Sequence, residues 1–348
     1  MSVRCSTLSP HKPTLTEENL PDQAGKVFLI TGASGGIGQE LVKILYQRNA
    51  KIWLAARSYS KTKAVIDEIK TAHPSSTGEM VFLKLQLDDL STIKASAQEF
   101  LSRETRLDVL WNNAGVMVPP QGSTTVQGYE LQLGINNLGH QLFTQLLTPL
   151  LEMTSQVAPR DSVRVIWVSS SAADGAPRPA IDFSNMDYHI EEGIWSKYSR
   201  SKAGNVIQAS EYARKMGGSG IISLSLNPGN FVTNLQQNMP KMQLAMFTPQ
   251  ITTTTTTTNN NNNNNTSSSS SSSNSSSSSN SKMPMVTRSG LVVSAGDAAE
   301  RLEELWGGAY YQWCLLRGQN GRPDKRGAKR AARRFQRLEK LVKKLKEA

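Results

Sequence analysis

The chain has 348 residues, of which 38% are hydrophobic, and it carries a formal net charge of +11. That length suits one large α/β domain with appendages, and two cysteines far apart, Cys5 and Cys314, exclude a disulfide framework and point to a reducing compartment. No apolar run reaches bilayer length and the polar N-terminus through Lys26 lacks an apolar leader segment, so the sequence reads as a cytoplasmic protein without a transmembrane segment.

Residues 1–25 read as a loose arm. Beyond them, short apolar runs alternate with longer segments of helical period. Val27–Thr31 predicts a buried strand, and 37–47 a helix with Ile37, Leu41, Val42 and Leu45 on its apolar face. Strand 51–56, helix 60–71, strand 80–87, helix 91–102 and strand 107–112 follow. A long helix is expected from about Thr125 to Met153, then strand 163–169, a helix from about Trp195 to Met216, and strand 220–226. Strands alternating with helices imply an α/β fold: a doubly wound parallel sheet of the Rossmann type, which binds ligands where its strand order reverses.

The turn after the first strand reads Thr31-Gly32-Ala33-Ser34-Gly35-Gly36-Ile37-Gly38 and opens a helix. In that setting Gly32 permits the tight turn, Gly36 lets backbone approach a pyrophosphate, and Gly38 lets helix and strand pack closely. The helix N-terminus adds unpaired N–H groups for phosphate. An acidic residue ending the second strand would bind the ribose hydroxyls of NAD. Here the sequence is Leu54-Ala55-Ala56-Arg57-Ser58. Arg57 suits a 2′-phosphate and Ser58 donates to it, which favours NADP(H). Asn112-Asn113-Ala114-Gly115 ends the fourth strand with small residues and amides that let the chain pass close to a cofactor's adenosine side.

Tyr198-Ser-Arg-Ser-Lys202 places a lysine one helical turn from a tyrosine. A free phenol has a pKa of about 10, and lowering it by roughly three units takes about 4 kcal/mol, much of which one nearby ammonium supplies in a partly dry site. Val165-Ile166-Trp167-Val168-Ser169-Ser170-Ser171 is a strand ending in hydroxyls just before that helix. Ser170 is chosen by its spacing from the strand to hold a substrate oxygen, with Ser171 as the alternative. Asn136 falls mid-helix, where asparagine is a poor helix former, and is assigned to hold a water connecting to Lys202. The pocket is expected from Val116–Pro120, the long loop 172–196 and the region past Gly229, with Asp182, Tyr188 and Trp195 as candidate lining residues.

These motifs, in this order and spacing, resemble the short-chain dehydrogenase/reductase family from Lys26 to about Phe247. Within it the chain is most similar to the retinol-dehydrogenase-like branch and to fungal light-induced alcohol-dehydrogenase-like oxidoreductases. The resemblance implies Tyr198 as general acid/base, Lys202 lowering its pKa and binding nicotinamide ribose, Ser170 orienting substrate, and Asn136 completing a proton relay. It implies cofactor contacts at Gly32, Ser34, Gly36, Ile37 and Gly38, at Arg57 and Ser58, at Gln86 and Leu87, at Asn113, Ala114 and Gly115, at Tyr198 and Lys202, and at Asn230, Val232 and Thr233. No metal is expected. The substrate is a small carbonyl or alcohol, with fungal secondary metabolism as the setting, and the family often pairs through the helices bearing Asn136 and Tyr198. One departure is Gln86, where the family usually places an aspartate facing adenine, so weaker cofactor binding is expected.

Residues 26–250 form the expected catalytic domain. Residues 251–283 are a Thr/Asn/Ser tract that cannot bury apolar surface and reads as disordered. Residues 284–321 offer a last strand near 290–295 and a helix near 297–305. Of the +11 charge, +9 falls in residues 322–348, a basic amphipathic tail with Phe335, Leu338, Val342 and Leu345 on one stripe. That tail suits a packed or solvated helix better than a nucleic-acid or anionic-surface contact. Because the family's lid and last strand are replaced after Phe247, the competing reading is a catalytically impaired scaffold protein.

Overall fold

A computed structural model of the chain describes residues 16–229 together with Leu235. Among the described residues there are six strands: β1 (Val27–Thr31), β2 (Lys51–Ala56), β3 (Glu79–Lys84), β4 (Val109–Asn112), β5 (Val163–Val168) and β6 (Ile221–Leu226). They form one sheet in the order β3-β2-β1-β4-β5-β6, with every pairing parallel. Between them lie α1 (Gly36–Tyr46), α2 (Tyr59–Ala72) and α3 (Leu90–Arg103). The rod α4 runs from Leu131–Leu133 through a π segment, Gly134–Gly139, into His140–Val157, and α5 is Ile194–Met216. The chain returns to the middle of the sheet between β3 and β4, so the order reverses at the β1–β4 pair, where a crevice opens at the strands' carboxyl ends.

Alternation along the strands builds two apolar layers, because successive side chains point to opposite faces. Val27, Leu29, Trp53, Leu110, Val165 and Trp167 pack with Phe100 of α3 and Phe143 and Leu147 of α4. Phe28, Ile30, Ile52, Leu54 and Ile166 pack with Leu41 and Leu45 of α1 and Ile66 and Ile69 of α2. Trp53 meets Phe100 edge-on with ring centroids 5.1 Å apart, and its indole N–H donates to Glu104 Oε1 at 2.8 Å. With helices on both faces, strand residues are buried on both sides, which is why β1 reads as an apolar run closed by Thr31 and β5 as one interrupted only by Arg164.

Two expectations fail. The long helix does not begin at Thr125. Residues 125–130 form a turn in which Thr125 N–H donates to the Tyr129 carbonyl, Gly128 has φ +79°, and Thr124 bridges Glu130. Glu130 then caps the helix by accepting from Leu133 N–H at 2.7 Å. The expected loose arm is docked from Thr16 onward: Leu20 and Gln23 are buried, Gln23 N–H donates to the Arg48 carbonyl, and Arg48 donates to the carbonyls of Glu17 and Glu18. The Thr/Asn/Ser tract, the last strand near 290–295, the helix near 297–305 and the basic tail lie outside the described residues. Among the described residues, no helix is long and apolar enough to cross a membrane.

Candidate active site

The Gly-rich turn leaves β1 with Gly32 at φ +68° and Gly36 at φ +56°, and Gly38 buried in the first turn of α1. A Cβ on Gly32 would sit 2.9 Å from Ala114 Cα, and one on Gly38 would sit 2.5 Å from the Gly32 carbonyl oxygen and 2.8 Å from Asn113 Nδ2. Any larger residue forces backbone against backbone, so both glycines are required sterically. Thr31 ties this turn to the end of β4. Its hydroxyl oxygen accepts from Asn113 N–H and Ala114 N–H, each at 2.9 Å, while Asn113 Nδ2 donates to the Thr31 carbonyl. His140 Nε2 lies 2.9 Å from the same Thr31 hydroxyl. Burial lowers the His140 pKa to about 3, with the Lys202 charge acting in the same sense, so the imidazole is neutral and able to accept from Thr31.

Beside the turn, Arg57 ends β2 exposed to solvent, and Ser58 caps α2 by accepting from Lys61 N–H at 3.4 Å. The Ser58 hydroxyl also lies 3.2 Å from Ser60 Oγ, where either oxygen can donate. Gln86 follows β3, half-buried, with its carbonyl accepting from Thr92 Oγ1 at 3.3 Å, and Leu87 is buried. Ser34 and Ile37 are half-buried in the turn. Asn230, Val232 and Thr233 lie outside the described residues.

On the other side of the crevice, α5 carries Tyr198 and Lys202, each only 4% exposed. Lys202 Nζ stands 5.8 Å from the Tyr198 ring centroid and donates to the Val168 carbonyl at 3.1 Å. Burial lowers the lysine's pKa to about 8. Burial also raises the Tyr198 pKa, and a hydrogen bond with Ser170 pulls it back part of the way. The expected lowering of the phenol by Lys202 is therefore not what this structure shows: burial raises the pKa, and the opposing influence comes from Ser170. The three serines separate cleanly. Ser169 donates to the Lys202 carbonyl at 2.8 Å, Ser170 turns to Tyr198 while accepting from Ala172 N–H, and Ser171 is exposed at the start of a short 3₁₀ turn.

Asn136 sits in the π segment, which is common where a helix is distorted for function. Its Oδ1 accepts from Val116 N–H at 2.9 Å, and its Nδ2 donates to the Val116 carbonyl at 3.0 Å and to Ser201 Oγ at 2.9 Å. The amide assigned to a water thus grips the Val116 peptide from both sides. Gly115, next to it, is close to both partners: a Cβ there would lie 3.2 Å from Asn136 Oδ1 and 3.5 Å from Lys202 Nζ.

Tyr198 packs in an apolar wall with Met117 and Val118 and, less buried, Ala172, Ile194, Trp195 and Leu235. Trp195 meets Tyr198 edge-on at 6.1 Å. Val118 holds φ +49°, a strained setting for a β-branched residue, and is fixed there by its N–H donating to Gln132 Oε1. Of the other lining candidates, Asp182 caps its own turn at Ser184 and Tyr188 stacks on Lys197 Nζ at 4.8 Å. Asn205 and Gln208, which the sequence reading missed, reach the π segment from α5. Asn205 was findable, because Tyr198, Lys202 and Asn205 recur at i, i+4 and i+7.

The arrangement joins a backbone turn closed to side chains at Gly32 and Gly38 to a buried phenol, ammonium and hydroxyl. The model for the short chain dehydrogenase family matches residues 26–244. The short-chain dehydrogenase/reductase pkfC of Emericella nidulans is 56% identical over 236 residues, covering 67% of this chain and 76% of that protein. A short-chain dehydrogenase/reductase of Phomopsis amygdali is 50% identical over 228 residues, covering 65% and 68%. Among solved structures, an uncharacterized protein from Mycobacterium Paratuberculosis matches with a TM-score of 0.51 at 31% identity, over 64% of this chain and 75% of that one. A cradle of this build, a buried Tyr198–Lys202 pair and these matches together place the chain in the short-chain dehydrogenase family.

Proposed function

We propose that the protein is an NADP-dependent oxidoreductase that interconverts a carbonyl and a secondary alcohol. The observation that carries this reading is the convergence of Tyr198, Ser170 and Lys202 at the end of β5, across the crevice from the glycine turn. The residues fit a dinucleotide: positions 32 and 38 admit no side chain, and the turn leads into a helix N-terminus with no acidic residue in its first turn. Gly32, Ser34, Gly36, Ile37 and Gly38 would hold the pyrophosphate, Gln86 and Leu87 the adenine, Asn113, Ala114 and Gly115 the adenosine side, and Lys202 the nicotinamide ribose. Arg57 and Ser58 end β2 without a carboxylate, which favours a 2′-phosphate over a free hydroxyl.

Bound nicotinamide coenzyme supplies the hydride. The chain's own residues supply the proton and its control. Ser170 donates to the substrate oxygen and holds it beside the phenol. Burial keeps Tyr198 protonated at neutral pH, which suits proton donation in the reducing direction. Lys202, still mostly protonated at pH 7, stabilises the phenolate that donation leaves behind. Met117, Val118 and Trp195 keep water from the phenol. Coenzyme oxidation followed at 340 nm over a panel of aryl and alicyclic ketones tests the reading. Wild type should turn over at least one of them, and Tyr198→Phe should lose on the order of 10²–10⁴ in rate. Undiminished turnover by Tyr198→Phe would refute the assignment of the proton.

A further inference from the structure

Winding as a π segment turns backbone carbonyls of residues 134–139 out of the ordinary helical ladder, and two of them meet side-chain amides from α5. Asn205 Nδ2 donates to the Asn136 carbonyl at 2.7 Å, and Gln208 Nε2 donates to the Asn137 carbonyl at 3.0 Å. The ladder is closed by Asn137, whose Nδ2 donates to the Ser201 carbonyl at 2.9 Å and to Gln208 Oε1 at 3.0 Å. All of these amides are buried, and α5 approaches so closely that a Cβ on Gly204 would lie 2.6 Å from Asn137 Nδ2. Among the described residues, no protein group donates to Asn205 Oδ1 or to Asn137 Oδ1. A buried amide that leaves its oxygen unsatisfied is a poor packing choice, so its value lies in what its nitrogen holds.

The Asn205 nitrogen holds the backbone of Asn136, and the Asn136 side chain holds both polar atoms of the Val116 peptide. Gly115, the preceding residue, faces Lys202 Nζ. Tyr198, Lys202 and Asn205 share one stripe of α5. One helix therefore carries the reacting phenol and its ammonium and also sets, through Asn136, the strip of chain opposite them.

We propose that Asn205 is a positioning residue for the reaction, fixing the Asn136 clamp and hence the Gly115–Val116 strip against Lys202 and Tyr198, with Gln208 as the second rung. The inference rests on the oxidoreductase reading for its kinetic consequence but not for its structural one. Hydrogen exchange of the coenzyme-free full chain tests the structural part. In Asn205→Leu the Val116 amide should exchange roughly tenfold faster while the amides of β2 keep their wild-type rates. An unchanged Val116, or equal acceleration everywhere, overturns the proposal. Kinetics test the rest. Asn205→Leu should lower kcat about tenfold or more with coenzyme KM nearly unmoved, and adding it to Asn136→Ala should cost little further, because both act on one contact. Losses that multiply in the double variant, or a wild-type kcat in Asn205→Leu, overturn it. If Asn205→Leu does not fold, Asn205→Ala, smaller and without the donor, carries the same expectations. Absence of turnover in wild type would sink the oxidoreductase reading and leave the exchange result to judge Asn205.

Discussion

Lys202 carries a burial cost that its proposed role in the chemistry would account for. Its pKa of about 8 lies below the 10.5 of an ordinary lysine because burial penalises the charge. The unfolded chain therefore binds that proton more tightly. Below pH 8 both states are protonated and the full penalty is felt; it fades as pH rises from about 8 toward 10.5. Lys202→Met is expected to stabilise the coenzyme-free protein at pH 7 by about 1–2 kcal/mol in urea unfolding, less than the shift implies because the Val168 carbonyl loses its donor. The same variant should lose turnover, and a less stable Lys202→Met would contradict the desolvation argument. His140 acts at the acid end. Its folded pKa of about 3 lies below the unfolded 6.5, so stability should fall as pH drops through that window, by at most about 1.4 kcal/mol per pH unit. His140→Gln removes this titration and should flatten the acid limb of a stability–pH curve, even where it costs stability at pH 7 through the Thr31 bond.

The carboxyl end of β2 is where cofactor choice is expected to be made. Arg57→Ala should weaken NADPH binding by about tenfold or more, roughly the loss of one charge-assisted bond, and leave NADH binding nearly unchanged. Equal weakening of both in a fluorescence titration would remove Arg57 from the discrimination. How far such elements were legible depended on what fixes them. β1 and β2 were read to the residue because strands buried on both faces are apolar in all but their terminal positions, Thr31 and Lys51. The start of α4 was misread because Val126 and Tyr129 carry the apolar spacing back across the turn, while the local features that delay the helix, Gly128 at φ +79° and the Glu130 cap, were passed over. Leu20, a lone apolar residue among polar ones, gave no periodic signal of docking, although it is buried in the layer with α1 and α2. The π winding is invisible to any 3.6-residue pattern. For that reason Asn136 stood out as odd in sequence while its grip on Val116, and the amides of Asn205 and Gln208 behind it, did not. Ser170 was chosen from three neighbours by spacing alone; which neighbour each serine bonds, Tyr198 for Ser170 and the Lys202 carbonyl for Ser169, depends on side-chain direction that spacing does not carry.

The sheet integrates these parts. A parallel order that reverses between β1 and β4 brings the turn after β1, the end of β4 and the serines after β5 to one edge, and α5 crosses behind them. A coenzyme bridging those elements should stabilise the fold by mass action, by about 2.7 kcal/mol at a hundredfold excess over Kd, visible as a rise in Tm with NADPH concentration. The central claim is that a sterically closed glycine turn anchors the coenzyme while the buried phenol of Tyr198 serves only the chemistry. Titration of NADPH against wild type, Gly38→Ala and Tyr198→Phe, followed by protein fluorescence, tests it most directly. Saturable binding by wild type, binding by Tyr198→Phe within about threefold of it, and binding by Gly38→Ala weakened by about tenfold or more is the expected result. No binding by wild type, or Gly38→Ala binding as tightly as wild type, would contradict it.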